Sequence, residues 1–125
     1  EARQYATGSK TRGSARPCIG YHGTNNNLYE LVVSGLSFQP KLIYAVNGGR
    51  DRFALYSEPY IMTDNYDGVT HYYPFVVFGE KGVSPYDFSG NAYRDDTGTY
   101  FYVNSSGFSI PTDGFNSNWT WYAWA

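Results

Sequence analysis

The chain has 125 residues and a net charge of −2; 16% of its residues are charged and 20% are aromatic. This length fits one domain with a core of its own, and the weak charge gives no reason to expect binding to nucleic acid or to an anionic membrane. No apolar run is long enough to span a membrane, and Cys18 as the single cysteine rules out an internal disulfide, so the fold depends on packing or on assembly.

Short runs of apolar and aromatic residues, separated every few positions by Gly, Asn, Ser, Thr or Pro, predict many short strands and no long helix. This pattern is typical of an all-β sandwich or barrel, and we expect a compact antiparallel β-sandwich with long polar loops. In chain order, the predicted strands are Gln4 to Gly8, Tyr29 to Ser34, Lys41 to Val46, Arg52 to Tyr56, Tyr60 to Thr63, Thr70 to Gly79, Gly98 to Asn104, Gly107 to Ile110 and Asn118 to Trp124.

Turn-forming residues lie between several of these strands. Asn47-Gly48-Gly49 predicts a tight hairpin, because Asn and Gly tolerate the positive φ that such turns need. Ser105-Ser106-Gly107 and Thr112-Asp113-Gly114 predict further turns. Pro74 falls inside an otherwise strong strand, which should therefore lie at a sheet edge or bulge there, since proline cannot donate to the ladder.

Two polar segments, from Asp64 to Gly68 and from Tyr86 to Thr97, are rich in Gly, Asp and Asn and are predicted to be the two long loops. Loops held by a rigid scaffold often carry binding residues. We therefore expect the ligand-binding residues in these segments or at the strand ends beside them.

The sequence contains little that indicates catalysis or metal binding. Its two histidines, His22 and His71, come with no Gly-x-Ser-x-Gly elbow, and no catalytic residue is predicted. Cys18 and His22 supply too few ligands for zinc, and residues 64–68 lack the spacing of a calcium loop, so neither a metal site nor a cofactor is predicted. Loop carboxylates leave a glycosidase open as an alternative, because the sequence does not give their separations.

Aromatic and polar loop residues suit a sugar ligand, which offers an apolar C–H face to a ring and hydroxyl groups to carboxylates and amides. For each aromatic residue, packing in the core or at a subunit interface is the alternative. Trp119, near a strand end, is a further aromatic candidate. The residues predicted to bind the ligand are Asp64, Tyr66, Asp67, His71, Tyr72, Tyr73, Tyr86, Tyr93 and Asp95.

The last seven residues, Trp119 to Ala125, contain all three tryptophans. In a strand, alternation places Trp119 and Trp121 on one face and Trp124 on the other. We interpret this segment as a core and interface strand more than as a sugar-binding platform.

Both ends of the chain resemble a known class of module. Gln4-Tyr5-Ala6-Thr7-Gly8 resembles the segment that opens C-terminal modules of bacteriophage and prophage tail proteins, and Leu31 to Ile43 is similar to their V-x-G-L-x-F-x-P segment and the apolar strand after it. Gly107-Phe108-Ser109-Ile110 and the terminal segment resemble their closing strands. The early Phe-x-Pro and late Gly-Phe pattern is also similar to H-type lectins, which are trimeric or hexameric sugar-binding sandwiches.

This resemblance implies that residues 1–20 link to an upstream tail region and that residues 21–125 form a receptor-binding β-sandwich. It further implies a homotrimer in an extracellular virion tail, attached to a cell-surface glycan of a bacterial host. The predicted function is therefore non-catalytic host adsorption, without nucleic acid and without membrane insertion. The alternatives are a structural trimerisation or capping domain of a fibre or baseplate, and a glycan depolymerase or esterase at a subunit cleft.

Overall fold

A computed structural model describes residues 4–20, 23, 25–49, 52–58, 62–73, 75–80, 90–94, 99–112 and 117–125. Over these ranges the fold is all-β, with antiparallel strands in a sandwich-like arrangement, and the predicted fold class is confirmed. The described residues include no helix with the length and apolar character needed to cross a membrane.

The strands of the described residues are short, as the spacing of turn residues predicts. They are β1 (Tyr5–Thr11), β2 (Ala15–Gly20), β3 (Asn25–Ser34), β4 (Leu42–Asn47), β5 (Arg52–Ser57), β6 (Met62–Asp64), β7 (His71–Tyr73), β8 (Phe75–Glu80), β9 (Gly90–Arg94), β10 (Tyr102–Asn104), β11 (Gly107–Thr112) and β12 (Asn118–Trp124).

Ten of these strands form one sheet in the order β1-β12-β4-β5-β8-β9-β2-β3-β11-β10, and β6 and β7 form a separate pair. The sheet folds back on itself. This is shown by contacts between strands that are not neighbours in it: β11 with β5 and β8, and β1 with β3. Strands β1 and β2 therefore belong to the same sheet as the rest of the chain, while the division at residue 20 into a linking segment and a binding domain stays a prediction.

Most predicted strands and turns are confirmed, but two strands were not predicted. The hairpin turn at residues 47–49 joins β4 to β5, and residues 105–106 join β10 to β11. The predicted loop from Tyr86 to Thr97 is wrong for residues 90–94, which form β9 between β8 and β2. β2 was also missed. Both strands have polar or Gly-containing sequences, and pairing with their neighbours outweighs their weak intrinsic strand preference.

The strand predicted from Thr70 to Gly79 is divided at position 74. Pro74 lies outside the described residues, as do residues 113 and 114 of the turn predicted after Thr112. On one side of position 74, β7 pairs with β6; on the other, β8 lies inside the large sheet between β5 and β9. Of the two alternatives predicted from Pro74, an edge strand is wrong for β8, and a bulge at Pro74 lies outside the described residues.

The core is built from the inward faces of the folded sheet. Along β12, alternate residues Trp119, Trp121 and Ala123 are buried, as the alternation predicts. The ring of Trp121 meets Phe108 of β11 edge to face, with centroids 5.6 Å apart, so this contact joins the two halves of the sandwich. Other buried members of the core are Cys18, Leu31, Val33, Phe38, Ile43, Ala45, Ala54, Phe101 and Ile110.

Two glycines allow close packing around this core. A Cβ atom at Gly8 of β1 would lie 2.9 Å from Cζ2 of Trp121, so the absence of a side chain lets the ring fit beneath β1. At Gly107, a Cβ atom would overlap the carbonyl oxygen of Val33 on the neighbouring strand β3. A larger residue at either position would require the neighbouring strand or ring to move.

Replacing Trp119 by alanine should strongly destabilise the fold, because this ring is only 1% exposed and its loss leaves a large cavity. We expect Trp119→Ala to lower the free energy of unfolding by about 3–5 kcal/mol. Trp124→Ala, on the outward face of the same strand, should cost less than half as much. Guanidinium denaturation followed by circular dichroism measures both changes, and equal losses would contradict the assignment of the two faces.

Candidate functional site

In the described part of the chain, two surfaces each group several aromatic side chains that solvent can reach. The first is the hairpin formed by β6 and β7, in which Asp64 pairs with His71 and Thr63 with Tyr72. Its loop closes with a hydrogen bond from the N–H of Gly68 to the carbonyl of Asn65 (3.0 Å). The hairpin contains six of the residues predicted to bind a ligand: Asp64, Tyr66, Asp67, His71, Tyr72 and, at the end of β7, Tyr73.

Within the hairpin, Asp67 and His71 hold the loop in a defined shape. Asp67 Oδ1 lies 2.8 Å from His71 Nε2 and accepts a hydrogen bond from the N–H of Val69 (3.1 Å). The Tyr66 ring stacks on the imidazole, with centroids 4.9 Å apart and planes 24° from parallel. The backbone of Gly23 lies against the Tyr66 ring. A Cβ atom placed on Gly23 would be 2.6 Å from Cζ of Tyr66.

The electrostatics of the hairpin follow from these contacts. The hydrogen bond from His71, together with that from the Val69 amide, holds the pKa of Asp67 below its ordinary value. The carboxylate is thus ionised at neutral pH and keeps the imidazole in place beneath Tyr66. The arrangement positions an aromatic ring that is still 46% exposed.

Beside these rings lies a small polar cavity of about 310 Å³, lined by Thr63, Asp64, Asn65 and Thr70. Its hydroxyl, amide and carboxylate groups are suited to a ligand with several hydroxyls. The Tyr72 side chain of the hairpin is 59% exposed. The hairpin can therefore hold a polyol, with one ring fixed by its neighbours.

The other predicted ligand residues are placed differently. Tyr93 is on β9, where its half-buried side chain packs against the core, and this favours a packing role. Tyr86 and Asp95 lie outside the described residues. Trp119 was a candidate for sugar contact, and this is wrong because its ring is buried. Across the described ranges, no three His, Cys, Asp or Glu side chains are grouped to hold a metal ion.

The second surface is a row of aromatic rings on the outward side of the large sheet. The side chains of Tyr122 and Trp124 lie on the face of β12 opposite the core, because they alternate with the buried residues of that strand. Register then places Tyr5 of β1 opposite Trp124, and Tyr44 of β4 opposite Tyr122. Phe53 of β5 extends the row. We call Tyr5, Trp124, Tyr122, Tyr44 and Phe53 the outer aromatic face.

The rings of the outer aromatic face contact one another in sequence. Centroid distances are 5.5 Å for Tyr5–Trp124, 6.3 Å for Tyr122–Trp124, 6.0 Å for Tyr44–Tyr122 and 5.9 Å for Tyr44–Phe53. Four of the rings, with Val46, line a shallow groove of about 620 Å³. Tyr5 is 50% exposed and the others are half-buried. Each ring is thus supported by its neighbours and still reachable from solvent.

Small hydroxyl and amide side chains continue the same surface. Thr7, Ser9 and Thr11 occupy the alternate positions of β1 after Tyr5, and they pair with Tyr122, Thr120 and Asn118 of β12. The hydroxyl of Thr7 donates to the carbonyl of Trp121 (2.7 Å), and that of Thr11 to Asn118 Oδ1 (3.3 Å). The outward side of β1 and β12 is therefore aromatic at one end and hydroxyl-rich at the other.

The sequence interpretation missed this surface. It assigned the terminal strand to core and interface, which holds for Trp119 and Trp121, whereas Tyr122 and Trp124 form part of an accessible groove. A signal was present in the alternation Ile43-Tyr44-Ala45, in which both neighbours of the tyrosine are buried. The sequence does not reveal how β1, β12 and β4 pair, and it is their register that brings these rings together.

Replacing His71 by alanine should raise the pKa of Asp67 towards its ordinary value, because the His71 hydrogen bond is the largest cause of its lowering. In the native protein, the stabilisation from the ionised carboxylate is present above the ordinary pKa of about 3.9 and disappears as pH falls through the lowered value. Carboxyl carbon shifts in an NMR titration measure this pKa. Tyr72→Ala should leave it unchanged; an unaltered pKa in His71→Ala would contradict the assigned cause.

Comparisons with known proteins give no relative from which a function can be carried over: no family model matches the chain, and neither does any curated protein or solved structure. The likeness of its ends to tail-protein modules and H-type lectins therefore stays a prediction, and the functional conclusion depends on the geometry of the two surfaces.

Proposed function

We propose that this protein is a non-catalytic carbohydrate-binding module whose main binding surface is the outer aromatic face. The observation that carries the proposal is the row of rings in mutual contact, accessible from solvent and continued by a row of hydroxyls. Aromatic rings pack against the C–H faces of a sugar, while hydroxyl and amide groups exchange hydrogen bonds with its rim.

The fixed geometry of these rings favours binding. Each ring belongs to a strand paired with its neighbours and rests on another ring, so little side-chain freedom remains to be lost when a ligand binds. The largest exposed apolar areas of a soluble protein are often functional surfaces. A sugar that covers the groove removes apolar surface from water without requiring the sheet to change shape.

The β6–β7 hairpin is the weaker candidate for sugar contact. Tyr66 is held between His71 and Gly23, but among its described side chains the hairpin offers one supported ring, beside a smaller polar cavity. Asp64, Asp67 and Tyr72 stay in the proposal as a secondary contact. The variants below separate the two surfaces.

The biological setting that we propose is attachment to a bacterial surface. Its support is the sequence likeness of residues 4–8, 31–43 and 107–125 to modules of phage tail proteins. As part of an extracellular virion tail, a homotrimer would present three copies of a weak site to a repetitive glycan, and multivalency would raise the apparent affinity.

Loss of a central ring should weaken sugar binding. We expect Trp124→Ala and Tyr122→Ala each to reduce affinity by up to about tenfold, the equivalent of about 1.4 kcal/mol. Glycan arrays and retention of the protein in polysaccharide-containing native gels give the ligand and its affinity. Because both residues lie on the outward face, the variants should fold, which circular dichroism verifies.

Tyr72→Ala and Tyr66→Ala are the comparison variants on the hairpin, the secondary contact, and should weaken binding less. If these two variants lose binding while Trp124→Ala and Tyr122→Ala retain it, the site is the hairpin and the main surface has been misassigned. Release of new reducing ends or of acetate during incubation with the bound polysaccharide would contradict the non-catalytic part of the proposal.

A second candidate function is assembly through β1, and a specific observation favours it. β1 is the terminal strand of the ten-stranded sheet, and over seven residues it pairs on one side with β12. Among the residues that the structure describes, no strand pairs with its other edge. An edge strand of this length is a template for pairing with another chain.

If β1 joins subunits, Ser9→Lys should dissociate them, because charged edge residues disfavour strand pairing. Light scattering coupled to gel filtration measures the mass of the native and variant proteins. Ser105→Lys, in the exposed turn between β10 and β11, is the matched control and should keep the native mass. A native protein that is monomeric at all concentrations would rule this function out.

A further inference from the structure

The outward side of the sheet around the groove is uncharged. On β1, β12 and β4, the residues that share this side are identified by register and by the alternation of buried positions. None of them is acidic or basic. They are Tyr5, Thr7, Ser9, Thr11, Asn118, Thr120, Tyr122, Trp124, Leu42, Tyr44 and Val46.

Among the described residues, the charges at the margin of this surface come as an acidic and a basic side chain. Lys41 precedes β4 and Glu58 follows β5, and the N–H of Glu58 donates to the carbonyl of Lys41 (2.7 Å). An acidic and a basic residue therefore flank the aromatic end together. Lys10 of β1 belongs to the other face of the strand, because it pairs with the buried Trp119.

We infer that the ligand of the outer aromatic face is an uncharged glycan, an inference that rests on the proposed function. A carboxylate, phosphate or sulfate group that is partly desolvated against aromatic rings needs an arginine, a lysine or several N–H donors to offset the loss of water. The groove and the surface beside it supply aromatic rings and hydroxyl groups in place of such cationic or N–H groups. A neutral sugar needs only apolar contact and neutral hydrogen bonds.

The shape of the groove indicates an extended ligand. The ring row crosses β1, β12, β4 and β5, and neighbouring strands lie about 4.8 Å apart, so the row is on the order of 15 Å long. All described residues that line the groove are strand residues: Tyr5, Tyr44, Val46, Tyr122 and Trp124. A surface of this kind can bind internal units of a chain that runs across the strands.

The test compares polymers that differ only in charge. Neutral glucan, mannan and galactan are each titrated beside the same polymer after oxidation of its primary hydroxyls to carboxylates. We expect the neutral form of the polymer that binds to have at least about tenfold higher affinity. That affinity should change less than about twofold between roughly 50 mM and 500 mM salt, because no ion pair contributes.

A lysine placed on the face should weaken the preference for the neutral polymer. Thr120→Lys should raise affinity for the carboxylated polymer about threefold or more at low salt, and added salt should remove the gain. Ser105→Lys, which adds the same charge in the turn between β10 and β11 and outside the outer aromatic face, should leave both affinities unchanged. The length of the ligand is tested separately, with neutral oligosaccharides of increasing length. If the ligand is extended, affinity should keep rising beyond the disaccharide.

The outcomes separate the two levels of the argument. Tighter binding of a carboxylated polymer by the native protein, or neutral binding that salt weakens severalfold, would overturn the uncharged ligand and leave sugar binding standing. A plateau at the disaccharide would overturn the extended ligand. Absence of binding to every polymer and array glycan would overturn the proposed function, and this inference with it.

Discussion

Strand β12 is the element on which both the core and the outer aromatic face depend. It lies between β1 and β4 and pairs with both along its length. Because side chains alternate across a strand, burial of Trp119 and Trp121 determines that Tyr122 and Trp124 face outward. A shift of register by one residue would exchange the two sets and expose both buried rings. The energy of the core therefore fixes the position of the rings that we assign to binding.

This dependence distinguishes the two candidate surfaces. The outer aromatic face is positioned by the whole sheet, including the close approach of Gly8 to the Trp121 ring directly beneath it. The β6–β7 hairpin is held by local contacts, chiefly the Asp67–His71 hydrogen bond and the stacking of Tyr66 on the imidazole. Loss of the stacking on His71 releases the Tyr66 ring of the hairpin. The outer aromatic face can lose one ring and keep the positions of the others, because backbone pairing holds the strands. β12, β4 and β5 each pair on both sides, and β1 pairs with β12.

The sequence predicted what alternation and turn chemistry control, and it failed where pairing partners decide. The all-β class, the turn at residues 47–49 and the opposite faces of Trp119 and Trp124 all follow from local pattern. β2 and β9 were missed because their sequences contain polar residues and Gly and so have a weak intrinsic strand preference. Pairing stabilises them: β2 lies between β3 and β9, and β9 lies between β8 and β2. The site was predicted on the hairpin because its polar residues are adjacent in sequence. Tyr5, Tyr44 and Trp124 come from three separate regions, and no spacing rule connects them before the register is known.

The two proposed roles of this surface are compatible, because they use different directions of the same sheet. A glycan would lie on the outward side of β12, whereas a second copy paired to the open edge of β1 would extend the sheet within its own plane. Tyr5 stands at the junction: its ring ends the aromatic row and its strand carries the free edge. Edge pairing would thus lengthen the row instead of covering it, and would bring the uncharged faces of two subunits side by side. A longer row favours a longer ligand, so assembly through β1 would increase the number of sugar units bound without any new kind of contact.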